Sequence, residues 1–190
     1  MTAEIALPQG YALHEYRVEQ TLGVGGFGLT YLATDSNLNL KVAIKEYLPG
    51  DLAQRGEDQS VQPKSESSSE SFKWGLSRFL DESRTLASFR HPNIVRVLRF
   101  FEANRTAYMV MEFVAGQPLG EWIRTRRPLE QSAVLAIAIP LLDGLEVIHR
   151  TGYLHRDIKP ATSSFAKTGH PCCSTSVPRA PPRQAPSEPR

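Results

Sequence analysis

LGVGGFGLTYLA (residues 22–33), followed shortly by VAIK (residues 42–45), is the stretch that most constrains the fold of this chain. It places Gly23, Gly25 and Gly28 in the spacing G-x-G-x-x-G, and the residues after the last glycine alternate as in a β-strand. Such glycines occur in ordinary hairpins, in dinucleotide-binding folds and in loops that cover phosphates. A dinucleotide fold needs a helix directly after the glycines, and here a strand follows. Two alternatives therefore stay open, a plain hairpin and a loop whose backbone N–H groups cover phosphates.

The VAIK segment places an ionisable side chain on a strand beside the glycine loop. Val42 and Ile44 are expected to anchor this strand in the core. Ala43 leaves room for a flat ring, and Lys45 would lie charged under the glycine loop. A lysine that points inward needs a counter-charge, so the sequence should supply a carboxylate nearby.

One helix is predicted among the strands, over residues 72–89, and it offers that carboxylate. Apolar residues recur there at helical spacing, and Glu82 shares their face. Because it is the only carboxylate on that face, an ion pair between Lys45 and Glu82 would explain two awkward residues with one contact. The alternative is two solvated charges on separate surfaces.

Composition divides the chain into four segments. Residues 1–15 are an N-terminal extension, and residues 16–114 form a strand-rich lobe. That lobe contains a polar insertion at residues 49–71, which we expect to be a solvated loop. Residues 115–160 are predominantly helical. Residues 161–190 are rich in Ser, Pro and Arg, show no apolar periodicity and are predicted to be disordered.

The secondary structure predicted for these segments is mixed. Helices are expected at residues 119–126 and 130–151, with Pro140 kinking the second helix or opening a turn and Gly152 ending it. Strands are predicted at residues 16–22, 29–33, 41–46, 95–102 and 107–113.

Charge and cysteine content exclude several classes of function. The formal charge of the 190 residues is +2, so charge alone does not suggest a nucleic-acid-binding protein. The two cysteines, Cys172 and Cys173, are adjacent, which suits neither a disulfide framework nor a zinc site. No signal peptide is visible, and the apolar run at residues 134–142 is too short to span a bilayer. We therefore expect a cytoplasmic protein without a membrane segment.

Taken in order, six features resemble the eukaryotic-type protein kinases of the bacterial serine/threonine class. The resemblance covers residues 16–160. It implies an α+β, protein-kinase-like fold, with a complete N-lobe of a five-stranded antiparallel sheet plus one helix, and a partial helical C-lobe. The features are the three glycines, Lys45, Glu82, HPNIV (residues 91–95), MVMEFVAG (residues 109–116) and HRDIKP (residues 155–160).

The resemblance implies an ATP site built from the N-lobe and the segment after it. The glycines would cover the phosphates, and a lysine oriented by a glutamate would hold the α- and β-phosphates. A methionine would lie behind the adenine, an alanine would pack on its face, and two backbone positions would bond its edge. The implied residues are Gly23, Gly25, Gly28, Ala43, Lys45, Glu82, Met111, Glu112 and Val114.

The resemblance also implies phosphoryl transfer from ATP, with Mg²⁺, to Ser or Thr hydroxyls of a protein substrate. Asp157 would accept or orient the hydroxyl proton, and Lys159 would stabilise the transferring phosphate. The family's metal ligands are missing, because Thr162 stands where the family has asparagine and no Asp-Phe-Gly triplet occurs in the sequence. No nucleic-acid partner is implied, and the sequence makes no prediction of oligomeric state.

A shift of reading frame would account for the missing motifs. Read one base earlier, Cys173 becomes leucine whichever cysteine codons were used, and residues 172–180 can become VLLDFGSAR. The same shift allows asparagine at position 162, and one lost guanine near Pro160 would cause it. We therefore expect an inactive fragment of a kinase with an out-of-frame tail. The alternatives are an ATP-binding pseudokinase and a protein-interaction module.

Overall fold

The computed structural model of the chain describes residues 5–154, 158–159, 163–166 and 171–173. Its main element is a six-stranded antiparallel sheet with the strand order β1-β2-β3-β4-β8-β7. The strands are β1 (Ala12–Leu13), β2 (Tyr16–Gly25), β3 (Gly28–Asp35), β4 (Leu40–Tyr47), β5 (Ala53–Arg55), β6 (Val61–Pro63), β7 (Val97–Ala103), β8 (Thr106–Glu112), β9 (Gly116–Pro118), β10 (Ser163–Ala166) and β11 (Pro171–Cys173). The helices are α1 (Glu66–Ala87), α2 (Leu119–Arg124) and α3 (Gln131–Arg150).

The predicted α+β class and the antiparallel sheet are confirmed. The five predicted strands correspond to β2, β3, β4, β7 and β8, and the two-residue strand β1 is added at one edge. Strand β3 shows why the alternation was readable, since its buried and less buried residues alternate along most of its length. Strand β8 is buried on both faces, with only its last residue exposed.

The sheet has two differently covered faces, which we call the front face and the back face. The front face carries Lys45 and its cross-strand neighbours Thr30 and Met109. Helix α1 packs on this face, where Tyr47 lies with its ring 5.3 Å from that of Phe72. The back face is formed by the alternate residues, which are Leu29, Tyr31, Ala33, Val42, Ile44, Glu46, Tyr108 and Val110.

The back face is covered by the N-terminal segment (residues 5–15) and the β5–β6 hairpin. Leu7 and Leu13 are buried there, and the Leu7 amide donates to the Tyr31 hydroxyl at 3.2 Å. Arg55 of the hairpin donates to the Ile5 carbonyl at 2.7 Å. Each face of the sheet is therefore closed by a different part of the chain.

Helix α1 begins earlier than predicted, and residues 49–71 are not a simple loop. Ser65 is the N-cap, with its hydroxyl accepting from the Ser68 amide at 3.2 Å, so the serine-rich run starts a helix. Residues 53–63 form the β5–β6 hairpin, which is fastened by the bond from the Val61 amide to the Asn104 carbonyl at 2.7 Å. The solvated-loop prediction was wrong because serine is favoured at N-caps as well as in loops.

The two predicted helices are present, and of the two effects expected of Pro140 the opening of a turn does not occur. Helix α3 continues through Pro140 rather than opening there. Its neighbours must therefore offset the lost hydrogen bond, which costs about 3 kcal/mol in an isolated helix. Gly152 ends the helix as predicted, with a φ of 77° and its amide donating to the His149 carbonyl at 2.9 Å.

Part of the tail that was predicted to be disordered forms two short strands in the structure. Strand β10 pairs with β9 on one side and with β11 on the other, in a three-stranded antiparallel sheet. The prediction was wrong for residues 163–166 and 171–173, because pairing with a distant strand leaves no periodic signal in a short segment. The other residues of the segment 161–190 lie outside the described residues.

Helix α3 has the length and apolar composition of a membrane span, and no other helix in the described part of the chain has both. Length and composition alone are weak evidence for a membrane-spanning helix, because core helices of soluble proteins share these properties. In this structure α3 packs on the preceding lobe, where a Cβ on Gly144 would lie 3.3 Å from the Ile94 side chain. Ile148 is fully buried, whereas Ile139 and Leu142 are exposed.

Candidate functional site

The glycine-rich segment is the tip of the β2–β3 hairpin, and one of its glycines is required by packing. Gly25 and Gly28 form the last pair of the hairpin. Gly28 has a φ of 148°, and a Cβ there would lie 1.8 Å from the Glu46 carbonyl oxygen and 2.9 Å from the Leu48 nitrogen. No other residue fits so close to β4, so the third glycine ties the hairpin to that strand.

The other two glycines of the pattern have no such requirement. A Cβ on Gly23 would meet no atom within 4 Å, and one on Gly25 would meet only the Gly28 carbonyl oxygen at 3.9 Å. Val24 and Phe27 at the tip are exposed. Packing within the protein therefore does not explain these two glycines, whereas a ligand that approaches the backbone would.

The register of the sheet brings the front-face candidates together. Lys45 lies between Thr30 of β3 and Met109 of β8. Two positions back along β4, Ala43 pairs with Met111 and lies on the same face. The lysine, the alanine and the methionine predicted from the sequence thus share one surface beside the glycine hairpin.

Glu82 reaches the front face from α1 and is buried, with 4% of its surface exposed. Burial raises its pKa to about 7, and Lys45 and Tyr153 lower it in part. Among the residues that the structure describes, neither carboxylate oxygen has a hydrogen-bond partner of normal geometry. The Glu82 carboxylate is therefore close enough to Lys45 for its pKa to be lowered by the lysine charge, but it forms no direct hydrogen bond with the lysine.

The expected Lys45–Glu82 ion pair is not formed at contact distance. No salt bridge with an N···O distance within 4.0 Å joins these two described residues. The expectation that Glu82 shares the inward side with Lys45 nevertheless agrees with the structure, since Lys45 acts on its pKa. The alternative of two charges on separate surfaces does not fit a buried glutamate.

The end of β8 and the segment after it contain the backbone groups that were predicted to bond the adenine, and one of these groups is already used. The Glu112 amide donates to the Arg96 carbonyl at 3.0 Å, so this amide is already used and is not a donor for a ligand. Val114 lies beyond the end of β8 and is partly buried against the core. Met111, which precedes both, is 5% exposed.

The candidates in the catalytic loop are described only in part. Asp157 lies outside the described residues, as does Thr162. Lys159 is described and exposed. Among the residues that the structure describes, no group of three or more His, Cys, Asp or Glu could hold a metal ion.

One buried acidic residue beside the site escaped the sequence analysis. Glu46 follows Lys45 on β4, is fully buried on the back face, and forms an ion pair with Arg55 at 2.5 Å. The sequence did contain a pattern that predicts the burial of Glu46. Residue 46 continues the alternation of Val42 and Ile44 and therefore falls on the apolar face of the strand.

Comparison with known proteins identifies the family. Residues 16–163, most of the chain, match the family model described as a protein kinase domain. This chain belongs to the protein kinase family. The chain is 36% identical over 154 residues to the serine/threonine-protein kinase pkn2 of Myxococcus xanthus, and the match covers 80% of this chain. It is 32% identical over 160 residues to the serine/threonine-protein kinase PknA of Mycobacterium tuberculosis, which covers 81% of this chain.

The structure is likewise similar to a solved structure described as the apo form of PpkA-294. The TM-score is 0.83 at 37% sequence identity, and the match covers 90% of this chain and 61% of that one. The chain spans only 16% of the length of pkn2 and 33% of the length of PknA. The fold and the bacterial serine/threonine kinase class predicted from the sequence are confirmed.

Proposed function

We propose that this chain carries the ATP-binding lobe of a serine/threonine protein kinase. One observation carries the proposal. The oxygens of a buried carboxylate, Glu82, have no hydrogen-bond partner of normal geometry in the described part of the chain, and this carboxylate lies near the lysine beside the glycine hairpin. A protein gains no stability from such an arrangement, since burying an unpaired carboxylate costs free energy. A bound nucleotide that brings Lys45 and Glu82 together would give this buried carboxylate a function.

In this proposal the phosphates of ATP lie between the glycine hairpin and Lys45. The open space above Gly23 and Gly25 supports this placement, because backbone N–H groups there can approach an anion. Lys45 holds the α- and β-phosphates as a point charge. Glu82 orients the lysine from the side of α1.

The adenine ring lies deeper on the same face. Ala43 packs on the ring, and Met111 lies behind it. The carbonyl of Glu112 accepts from the adenine amino group, since the Glu112 amide is already used. The backbone of Val114 bonds the next position of the ring edge. The pairing of Ala43 with Met111 supports this order along the strand.

Phosphoryl transfer to a Ser or Thr hydroxyl of a protein substrate is proposed for the domain in its intact reading frame. There Asp157 orients the hydroxyl and accepts its proton, while Lys159 neutralises charge on the transferring phosphate. The protein kinase family uses ATP with Mg²⁺. The residues of this chain do not fit the metal, because the ligands that the family requires are absent from its sequence. We therefore propose that this chain binds nucleotide and transfers no phosphate.

The compartment and partners follow from the same proposal. A bacterial kinase that uses ATP and acts on protein substrates would work in the cytoplasm, and adjacent cysteines without a disulfide framework suit that reducing compartment. No nucleic acid is needed for the proposed reaction.

Lys45→Met tests the nucleotide site. The variant removes a charged contact worth about 2 kcal/mol, so the affinity for a fluorescent ATP analogue should fall at least about tenfold. The matched control is Lys41→Met on the same strand, whose ammonium pairs with Glu19 at the surface and should not affect binding. Equal affinity of wild type and Lys45→Met would remove the assignment.

Restoring the reading frame tests the transferase half of the proposal. One base is reinserted at the junction of codons 160 and 161, and the frame that follows is expressed. Radiolabel from ATP should then appear on a generic basic protein, and Asp157→Asn should abolish it. Asp157-dependent transfer by the unrepaired chain would contradict our proposal that it is inactive. If the chain binds no nucleotide, the interaction-module alternative gains.

A further inference from the structure

The back of strand β4 holds a buried polar cluster, which we call the Glu46 cluster: Tyr31, Glu46, Arg55 and Tyr108. The Glu46 carboxylate accepts from the Tyr31 hydroxyl at 2.6 Å, from the Tyr108 hydroxyl at 2.6 Å and from the Arg55 guanidinium at 2.5 Å. The side chain of Glu46 is 0% exposed and that of Arg55 is 2% exposed. This is a saturated, desolvated ion pair.

The cluster reaches into two segments outside the main sheet. The Arg55 guanidinium also donates to the Ile5 carbonyl at 2.7 Å and to the Gln59 carbonyl at 2.9 Å. The Tyr31 hydroxyl accepts from the Leu7 amide at 3.2 Å. The N-terminal segment and the β5–β6 hairpin are therefore both bonded to the back of β4.

Both tyrosines of the cluster stay protonated and available as donors. Burial raises the pKa of Tyr31 and of Tyr108, and the neighbouring Glu46 carboxylate raises each further. Their hydroxyl protons therefore remain on the bonds to Glu46 through the physiological range.

The cluster lies directly behind two parts of the proposed nucleotide site. Glu46 is the residue after Lys45, and alternation along the strand puts the two side chains on opposite faces. The Glu46 carbonyl is the group against which Gly28 packs. The Leu48 amide donates to the Phe27 carbonyl at 3.1 Å, so the glycine hairpin also rests on this part of β4.

We propose that Glu46 is a positioning residue, whose cluster on the back face sets the place of Lys45 on the front face. The inference rests on the proposed nucleotide function. A buried ion pair is weak evidence for stability, because apolar residues of the same volume stabilise as well or better. What apolar residues do not supply is a fixed direction. Three directed bonds from β3, β8 and the hairpin hold residue 46, and therefore its neighbour, in one place.

The test removes the cluster without leaving a buried charge unpaired. The double variant Glu46→Met with Arg55→Met replaces the ion pair by apolar side chains, and its affinity for the fluorescent ATP analogue is measured with Lys45 present and in the Lys45→Met background. We expect a five- to tenfold loss when Lys45 is present, and a loss at least threefold smaller in the Lys45→Met background. Equal loss in both backgrounds, or no loss, overturns the inference.

A surface ion pair on the same strand supplies the matched control. The double variant Glu19→Gln with Lys41→Met removes the exposed pair between β2 and β4. It should leave both affinities within twofold of their parents. If the buried double variant does not fold, Tyr108→Phe, which removes one bond to Glu46, takes its place, and a Lys45-dependent loss of about twofold is the expected result.

A second measurement decides the case in which no nucleotide binds. The carboxylate of Glu82 is titrated by ¹³C NMR in wild type and in the buried double variant, without any ligand. If the cluster positions Lys45, its loss weakens the attraction of Lys45 for Glu82, and the midpoint of the Glu82 titration moves to higher pH. An unchanged midpoint then overturns the inference. Absence of nucleotide binding with a shifted midpoint would reject the proposed function and retain the positioning role.

Discussion

The two faces of the central sheet each bury one glutamate, and they treat it in opposite ways. On the back face, Glu46 accepts three bonds at 2.5–2.6 Å from two tyrosines and one arginine. On the front face, Glu82 is 4% exposed, and no described residue forms a hydrogen bond of normal geometry with either of its oxygens. Side chains of the protein itself hold Glu46 in place. Glu82 is left able to bond a further group, which we propose is Lys45 when nucleotide is bound.

This difference distinguishes a residue that stabilises the lobe, Glu46, from a residue proposed to take part in binding, Glu82. A buried carboxylate whose two oxygens both accept hydrogen bonds belongs to the scaffold, because the bonds that burial removed from water are largely replaced. An unsaturated one has a free-energy cost that folding alone does not justify. Its pKa of about 7 reflects that cost, since burial disfavours the charged form.

Removing the saturated glutamate should have the largest effect. Glu46→Ala leaves the Arg55 guanidinium buried without a counter-charge, so the free energy of unfolding should fall by about 3–5 kcal/mol. The measurement is urea denaturation at neutral pH. Glu82→Gln, which removes the other buried glutamate, should cost far less or stabilise the protein. A loss below about 1 kcal/mol for Glu46→Ala would contradict the contrast between the two faces.

The unsaturated glutamate should make stability depend on pH in a particular direction. Its pKa rises from 4.5 to about 7 on folding, so the folded state holds the extra proton between these values. Stability should therefore fall as pH increases through this window, by up to about 3 kcal/mol, with no penalty below it and the full penalty above it.

Glu82→Gln provides the control for this pH dependence. Denaturation midpoints at about pH 5 and about pH 8 should differ less in the variant than in wild type, because glutamine does not titrate. If the two proteins show the same pH dependence, the buried carboxylate is not its source.

The glycines should show the same contrast on a smaller scale. Gly28→Ala forces a Cβ against the Glu46 carbonyl at a φ that side chains avoid, and we expect a loss of about 2 kcal/mol in thermal unfolding. Gly23→Ala meets open space and should cost less than about 1 kcal/mol. Its effect should appear in nucleotide affinity instead. Equal destabilisation by both variants would show that Gly23, too, is kept for packing.

Local patterns were enough to predict the main sheet and the placement of the candidate residues on one face. Alternation marked the strands, and helical spacing put Glu82 on the inward side of α1. The start of α1 was missed because serine caps a helix as readily as it fills a loop. Strands β10 and β11 were missed because β10 pairs with β9, far away in the sequence, and β11 in turn pairs with β10.

The partners of the two buried glutamates could not be derived from the sequence. Arg55 lies in a segment that composition alone marked as a solvated insertion, yet its guanidinium is enclosed with Glu46. Likewise, the sequence suggested a closed Lys45–Glu82 ion pair, and the structure leaves it open. Whether Arg55 reaches Glu46, and whether Lys45 reaches Glu82, depends on differences of a few ångströms. The spacing of residues in the sequence does not predict distances of this size.

By itself, the sequence determined the protein kinase family, the strand that carries Lys45, the glycines of the hairpin and the face from which Glu82 approaches, because short-range spacing encodes each of these. Only the tertiary structure decided which glycine is held by packing, which backbone groups after β8 are already used, and which buried carboxylate is saturated. The physical reason is that a buried charge is satisfied by whatever donors the fold brings within hydrogen-bond distance, and for Glu46 these come from β3, β5 and β8.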